Sequence, residues 1–262
     1  MRSEGGVKLA VMSDVHANPK ALETALADAR KLGCGRFVML GDVTGYGYDA
    51  KTALDTVRGA FDAVLMGNHD SACAGLEPEW EVLANRNYGI DRAERETLAE
   101  SDIEWLASRG YVCAECGAAF AHGNFEHPSS WGYIISPQDA ARSLAARAER
   151  LLFCGHTHHA AVWELDGLAL RARFEKRLFR PVEKAETVSL GLAKGRRYVI
   201  NVGSVGYPRV DLCSTYAIWD TDRDRVAIRR LPFDFKSYVD EMLARRIDLP
   251  LWLVDLLMSA RG

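Results

Sequence analysis

Short apolar runs alternate with amphipathic stretches over the first 70 residues, and this alternation predicts strands separated by helices. The three strands predicted here are 7–13, 37–40 and 62–66. Asn18-Pro19 supplies an N-cap and a first-turn proline, which predict a helix to about residue 31, and a second helix is predicted at 50–58. This β-α-β-α-β order favours a parallel sheet with right-handed crossovers, whose ligand site lies beyond the carboxyl ends of the strands.

The pattern from residue 78 onward is first helical and then dominated by strands. Residues 78–108 are predicted to be helical, 111–121 to form one or two strands, and Ser136-Pro137 to open a further helix. The remaining predicted strands are 151–154, 160–165, 168–173, 197–202, 215–220 and 225–231, the second and third joined by a hairpin turn at Asp166-Gly167. Because the chain has no internal repeat and no low-complexity linker, we predict a single domain over residues 1–262.

Composition narrows the class of protein. The formal net charge of −3 gives no electrostatic reason to bind nucleic acid or an anionic membrane. The chain has no apolar run long enough to span a membrane, and its first residues lack the apolar core of a signal peptide. The six cysteines are scattered, and Cys113-x-x-Cys116 lacks the second ligand pair of a structural zinc site. We therefore expect a cytoplasmic protein with no nucleic-acid or membrane partner.

Side chains that bind metals follow five of the predicted strands. They are Asp14 and His16, Asp42, then Asn68, His69 and Asp70, then His122, and finally His156 and His158. Each motif alone is ordinary turn chemistry, whereas their joint occurrence at successive strand ends indicates a site. We expect the five strand ends to meet at one edge of one sheet. A mixed carboxylate and imidazole set of this size suits two transition-metal ions.

The series D-x-H, G-D, G-N-H-D, H and G-H-T-H resembles the motifs of the calcineurin-like metallophosphoesterase family over nearly the whole chain. The stretches GDVTGYG (41–47) and YVINVGSVGYPR (198–209) are similar to those of small cytoplasmic members from bacteria and archaea. The resemblance implies an α/β fold in which two sheets form a sandwich flanked by helices, in four α-β-β-α layers. It also implies a dinuclear centre of divalent ions, with Mn, Fe, Zn, Ni and Co as the alternatives.

The resemblance also implies roles for the motif residues. One ion is expected on Asp14, His16, Asp42 and His158, and the other on Asp42, Asn68, His122 and His156. Asp42 then bridges the ions, and a hydroxide between them is the expected nucleophile. His69 is expected to give a proton to the leaving group, oriented by Asp70. Arg209 is a candidate phosphate contact, and Tyr46 is a candidate for the mouth of the site.

The expected function is hydrolysis of a phosphate ester, in first place a phosphodiester, or of a phosphoanhydride in a small phosphorylated substrate. Dinucleoside polyphosphates, phosphomonoesters and phosphoproteins are the alternatives. The GDxVDRG motif of the serine/threonine protein phosphatases here reads GDVTGYG, without its arginine, which argues against a dedicated protein phosphatase. A metal-bound scaffold without activity is a remote alternative, because all seven ligand positions are filled.

Two segments carry no assigned role. Arg171 to Lys184 is rich in Lys and Arg, and it fits either a basic flap over the substrate or a solvated hairpin. The apolar stretch 249–258 packs on the domain or forms a contact between copies in a homo-oligomer, and its composition does not decide between the two.

Overall fold

The protein's computed structural model describes residues 6–78, 88–167, 169–173, 182–209, 212–247 and 249. The strands are β1 (Lys8–Met12), β2 (Arg36–Met39), β3 (Ala63–Val64), β4 (Val112–Glu115), β5 (Ala118–Ala121), β6 (Leu151–Cys154), β7 (Ala160–Asp166), β8 (Ala169–Arg173), β9 (Glu186–Gly191), β10 (Arg197–Val202), β11 (Cys213–Asp220) and β12 (Arg225–Pro232). The helices are α1 (Pro19–Lys31), α2 (Ala50–Ala60), α3 (Asn68–Ala74), α4 (Tyr88–Arg95), α5 (Glu100–Ala107), α6 (Pro137–Ala146) and α7 (Phe235–Ala244).

The strands form two mixed sheets of six strands each. The first sheet has the order β3-β2-β1-β11-β12-β9, and the second has the order β4-β5-β6-β10-β7-β8. Strands β1, β2 and β3 are parallel, so the predicted β-α-β-α-β unit is confirmed, and β11 pairs with β1 in the antiparallel direction. In the second sheet β5, β6 and β10 are parallel, and the strands outside them are antiparallel.

Three apolar layers hold the sandwich together. The middle layer lies between the sheets and joins side chains such as Val11 and Leu40 of the first sheet to Phe120 and Phe153 of the second. An outer layer packs α1 and α2 on the first sheet, and another packs α6 on the second. The four-layer α-β-β-α sandwich expected from the resemblance is therefore confirmed. Burial of apolar area in these layers is the main favourable term in folding.

The first helix begins where the sequence predicts, and the reason is local. The Asn18 side chain accepts a hydrogen bond from the Ala21 backbone N–H at 3.2 Å, and Pro19 occupies the first helical position. Burial of Leu22, Ala25, Leu26 and Ala29 at helical spacing then sets this helix on the sheet.

Some elements differ from the prediction. The helical region of residues 78–108 contains α4 and α5 as two separate helices, and 79–87 lie outside the described residues. Strand β9 has no counterpart among the predicted strands, because its sequence ETVSLG is mostly polar on its outer side. Residues 174–181 of the basic segment and 250–258 of the apolar segment also lie outside the described part of the chain. Among the described helices, none is long and apolar enough to cross a membrane.

Candidate metal centre

The predicted ligand residues converge at one end of the sandwich, but they come from two sheets. Asp14, His16, Asp42 and Asn68 follow β1, β2 and β3 of the first sheet, whereas His122, His156 and His158 follow β5 and β6 of the second. The expectation that all five strand ends share the edge of one sheet is wrong. The physical reason is that β5 and β6 pair with β10 and not with β1, so the site forms where two sheet edges face each other.

One group of donors consists of Asp14, His16 and His158, all of them buried. The Nε2 atoms of His16 and His158 lie 3.1 Å apart. Asp14 Oδ1 lies 3.7 Å from His16 Nε2 and 3.4 Å from His158 Nε2. Three donor atoms from two loops, those after β1 and β6, therefore surround one small volume.

The outer nitrogens of these two rings decide what the inner nitrogens can do. His16 Nδ1 lies 3.0 Å from the Thr44 carbonyl oxygen, and His158 Nδ1 lies 2.7 Å from that of Tyr207. A carbonyl only accepts, so each Nδ1 donates, and a metal can bind only at Nε2 of either ring, through the lone pair that this atom has when it carries no proton. Two lone pairs that face each other at 3.1 Å repel unless a cation lies between them.

A second group contains Asn68, His122 and His156. His122 Nε2 lies 3.2 Å from Asn68 Oδ1 and 3.1 Å from His156 Nδ1. All three side chains are buried. An amide oxygen and two imidazole nitrogens are thus close enough to bind one ion. The neutral amide of Asn68 takes the place that the carboxylate of Asp14 has in the first group.

Asp42 connects the two groups. Its Oδ2 lies 3.6 Å from His16 Nε2 and 3.3 Å from His122 Nε2, while its Oδ1 accepts a hydrogen bond from the His69 backbone N–H at 2.9 Å. Among the described residues, neither Asp42 Oδ2 nor Asp14 Oδ1 has a hydrogen-bond partner, although both are buried. A buried carboxylate oxygen without a partner is costly, so these two atoms fit the coordination of divalent metal ions.

The backbone is strained at these donors. Asp14, His16, Asp42, His156 and His158 all have positive φ angles, between 48° and 67°. This left-handed conformation is unfavourable for non-glycine residues and persists where the surrounding structure imposes it. Close packing adds a second constraint, because a Cβ at Gly67 would lie 2.1 Å from Asp42 Oδ1. The loops therefore hold their side chains in fixed positions around the centre.

Charge and burial shift the pKa values of the donors in opposite directions. Burial raises the pKa of Asp42, but the neighbouring His122, His69 and His16 outweigh burial. The pKa of Asp42 therefore lies well below its usual value. Burial lowers the pKa of His158, and it lowers that of His156 to about 3, with His122 as the next cause. Burial lowers the pKa of His122, but Asp42 outweighs it and raises this pKa to about 9. At neutral pH His156 and His158 are thus neutral and ready to bind a metal, whereas His122 loses a proton when a metal binds.

His69 lies beside the donors, and its partner differs from the predicted one. Both carboxylate oxygens of Asp91, on α4, lie within hydrogen-bond distance of His69 Nδ1, at 2.9 and 3.0 Å. Burial lowers the pKa of His69, but Asp91 and Asp42 outweigh it and raise this pKa to about 9. Nothing in the local sequence marks Asp91, which is 22 residues away on another helix.

Asp70 does not orient His69, so that prediction is wrong. Its carboxylate accepts hydrogen bonds from the backbone N–H groups of Val43, Thr44 and Gly67, and from the Thr44 hydroxyl, at 2.9 to 3.1 Å. Consecutive residues on a helix point in different directions, and Asp70 follows His69 directly on α3. Asp70 therefore caps α3 and holds the loop after β2 in place.

Aromatic rings and one arginine lie next to the donors. Tyr46 packs 4.4 Å from the His69 ring and stacks on Tyr207 at 4.6 Å, measured between ring centroids. The Arg209 guanidinium carbon lies 5.8 Å from the Tyr207 ring centroid. Tyr133, half exposed, stacks on His156 at 4.2 Å. The sequence motifs do not point to Tyr133, whose ring forms part of the wall beside the second donor group.

The sequence of this chain matches a known family. Residues 7–224 match the sequence profile described as the calcineurin-like phosphoesterase superfamily domain. The match spans most of the chain, and the protein belongs to this superfamily. Membership supports a hydrolase that acts on phosphate esters, and the Asp and His groups described above are able to bind divalent metal ions.

Three known proteins are similar to this chain. The uncharacterized protein MJ0912 of Methanocaldococcus jannaschii is 27% identical over 260 residues, covering 97% of this chain and 98% of that protein. The crystal structure of a metallophosphoesterase from Sphaerobacter thermophilus is 30% identical, with a TM-score of 0.76 over 96% of this chain and 98% of that chain. A candidate diadenosine tetraphosphatase, 13% identical with a TM-score of 0.50 over 89% and 97% of the two chains, shares the fold.

Proposed function

We propose that the protein hydrolyses phosphodiesters at a centre of two divalent metal ions. The observation that carries the proposal is the position of Asp42 Oδ2, which lies 3.6 and 3.3 Å from imidazole nitrogens of two separate donor groups. One carboxylate between two such groups is the arrangement that two-metal phosphoesterases require, because both ions then act on one phosphoryl group.

The proposed ligands follow from the two groups. One ion is held by Asp14, His16, His158 and Asp42, and the other by Asp42, Asn68, His122 and His156. When bound, the two ions stabilise negative charge on the phosphoryl oxygens and lower the pKa of an attacking water. The two carboxylates only partly neutralise such ions, so the centre keeps a positive charge that attracts phosphate.

Residues next to the donors have the remaining roles. His69 is the proposed proton donor to the leaving oxygen, because it is buried beside the donors and is not needed as a ligand. Arg209 is the proposed contact for a phosphate oxygen, and the ring of Tyr46 confines the substrate on the side of His69.

The preference for diesters is supported by the charges around the mouth. Tyr46 stands where the GDxVDRG motif of protein phosphatases has its arginine, so one positive charge that such enzymes place beside the phosphate is absent from this position. A phosphodiester carries a single negative charge, whereas a monoester carries up to two. Without that arginine, less positive charge is available to balance the second negative charge of a monoester.

The test is hydrolysis of an aryl phosphodiester and an aryl phosphomonoester by protein stripped of metal and refilled with Mn, Ni, Co, Zn or Mg. We expect metal-dependent turnover of the diester, faster than that of the monoester. Asp42→Asn should abolish this turnover and leave less than one ion per chain by elemental analysis. The control is Asp55→Asn, because Asp55 is an exposed carboxylate on α2 that pairs with Lys51 and belongs to neither donor group.

The other outcomes separate the alternatives. Faster turnover of the monoester would identify a phosphomonoesterase. Turnover of diadenosine tetraphosphate alone would identify a dinucleoside polyphosphate hydrolase, the activity suggested for the related fold with a TM-score of 0.50. Protein that holds two ions and hydrolyses none of these substrates would contradict the proposal and favour a scaffold role. Two ions retained in Asp42→Asn would show that this residue is not the bridge.

A further inference from the structure

We propose that Asp91 is the positioning residue for His69: its carboxylate, supplied by α4, accepts a hydrogen bond from Nδ1 and holds the ring in the orientation in which Nε2 gives its proton to the leaving group. The inference rests on the proposed role of His69 as a proton donor. Both carboxylate oxygens of Asp91 approach His69 Nδ1, at 2.9 and 3.0 Å. Asp91 is fully buried and His69 is 3% exposed, so water does not compete for this contact.

The contact determines which ring nitrogen keeps its proton and which one gives it up. A carboxylate only accepts hydrogen bonds, so Nδ1 keeps its proton, and the proton on Nε2 is the one that is given to the leaving oxygen. Two other rings also restrict the imidazole. Tyr46 lies 4.4 Å away and tilted, and His16 lies 5.1 Å away edge-on, measured between centroids. The hydrogen bond to Asp91 therefore fixes the remaining freedom, which is rotation and flipping of the ring.

The loop after β2 leaves room for this pair. Gly45 has a φ of +85°, and a Cβ at that position would lie 2.6 Å from His69 Nδ1 and 2.9 Å from Asp91 Oδ1. A side chain here would displace the carboxylate or the ring. The loop therefore has a residue without a side chain where it contacts the pair of His69 and Asp91. The carboxylate of that pair comes from a helix that is distant in sequence.

A second carboxylate of the same helix keeps that loop in position. Glu94 follows Asp91 by three residues, so both lie on one face of α4. Its Oε2 accepts a hydrogen bond of 2.7 Å from the Gly45 backbone N–H. Asp91 and Glu94 thus have different partners, the imidazole and the loop, which makes Glu94 a matched control for Asp91. Burial raises the pKa of Glu94 to about 8, so Gln resembles its neutral form at pH 7.

The first experiment reads the tautomer of His69 by ¹⁵N NMR of zinc-loaded protein, with the resonances assigned by their loss in His69→Asn. We expect a protonated Nδ1 with a downfield proton in the wild type and in Glu94→Gln. In Asp91→Asn the amide can donate to Nδ1, so the downfield proton should disappear and Nε2 alone should remain protonated. This readout does not depend on turnover.

The second experiment compares kcat for two diesters, p-nitrophenyl methyl phosphate with a good leaving group and phenyl methyl phosphate with a poor one. Asp91→Asn should lower kcat for the phenyl ester by about 10- to 100-fold more than for the p-nitrophenyl ester, with KM unchanged. In a His69→Asn background, Asp91→Asn should have little further effect, because the two residues act as one unit. Asp91→Glu should restore part of the activity.

Three results would overturn the inference. One is an unchanged Nδ1 proton in Asp91→Asn, and another is an equal loss of kcat for both esters. The third is a loss that adds fully to that of His69→Asn. If the wild type hydrolyses neither ester but the Nδ1 proton is lost in Asp91→Asn, the proposed function fails while the positioning of His69 stands. If Asp91→Asn does not fold, Asp91→Glu takes its place in the NMR experiment and should retain the Nδ1 proton.

Discussion

The two donor groups of the centre are held in different ways. In the first group, backbone carbonyls fix the outer nitrogens of His16 and His158, and a carboxylate completes the set. In the second group, His122 Nδ1 has no hydrogen-bond partner among the described residues, and the neutral amide of Asn68 replaces a carboxylate. The first group is therefore preorganised and negatively charged, whereas the second group has less negative charge and fewer hydrogen bonds that fix its rings. We therefore expect the first half to hold its ion more firmly.

The loop that carries Asp14 strengthens the first half further. The Ser204 hydroxyl donates to the Asp14 carbonyl at 2.9 Å and accepts from the Tyr207 N–H at 2.9 Å, and Gly206 N–H donates to the same carbonyl. The loop after β10, part of the 198–209 motif, thus supports Asp14 and also supplies the Tyr207 carbonyl that fixes His158. Partners of this kind raise metal affinity by about 10- to 100-fold.

The largest expected effect comes from Gly67→Ala, which removes the difference between the halves. The new Cβ would lie 2.1 Å from Asp42 Oδ1 and 2.3 Å from the Asp42 backbone nitrogen, so the shared carboxylate must move. We expect elemental analysis to find neither ion in this variant, and we expect its turnover to be abolished. The matched control is Gly59→Ala, within α2, where nothing lies within 4 Å of a new Cβ. That variant should gain about 0.5–1 kcal/mol of stability. Two retained ions in Gly67→Ala would contradict the assigned role of Asp42.

A smaller effect is expected when a chelator removes the ions from the wild type. Release should occur in two phases, with the ion of the second group leaving first. Asn68→Asp adds a negative charge to that group and should slow the fast phase by about tenfold, or about 1.4 kcal/mol. The slow phase is the internal control and should not change. A slower slow phase, or a single phase in the wild type, would contradict the comparison.

The smallest effect is expected for Tyr133→Ala. The Tyr133 ring stacks on His156 at 4.2 Å with an interplanar angle of 6°, so it limits the motion of that ligand. Loss of a stacked ring weakens such a contact by about 0.5–1.5 kcal/mol, so the fast phase of release should accelerate about two- to tenfold. Tyr133→Phe keeps the ring and should behave as the wild type. An equal acceleration of both phases would indicate a general loss of structure.

Local patterns predicted most of the strands and the residues that follow them. An apolar run that ends in glycine and polar residues is readable without knowledge of the fold, and so β6 is predicted with its observed bounds. The same patterns also brought the ligand residues to notice, because each lies within a few residues of a strand end. Strand β9 escaped prediction because an edge strand with few apolar residues resembles a loop in sequence.

Contacts between distant segments could not be predicted in the same way. Asp70 was predicted to orient His69 because the two are adjacent in sequence, but successive residues of a helix do not face each other. Asp91 reaches His69 because α4 packs against α3, a contact that depends on the whole fold. The unusual φ angles of the donors also depend on surrounding structure, since isolated loops would avoid them.

The amino-acid sequence by itself determined the order of strands and helices, the donors at the strand ends and the family, because these depend on residues close together in the chain. Only the tertiary structure decided that two sheets share the centre and that Asp91 faces His69. The physical reason is that a donor set, like a hydrogen bond between helices, requires atoms within about 3 Å of each other. The packing of distant segments alone sets such distances.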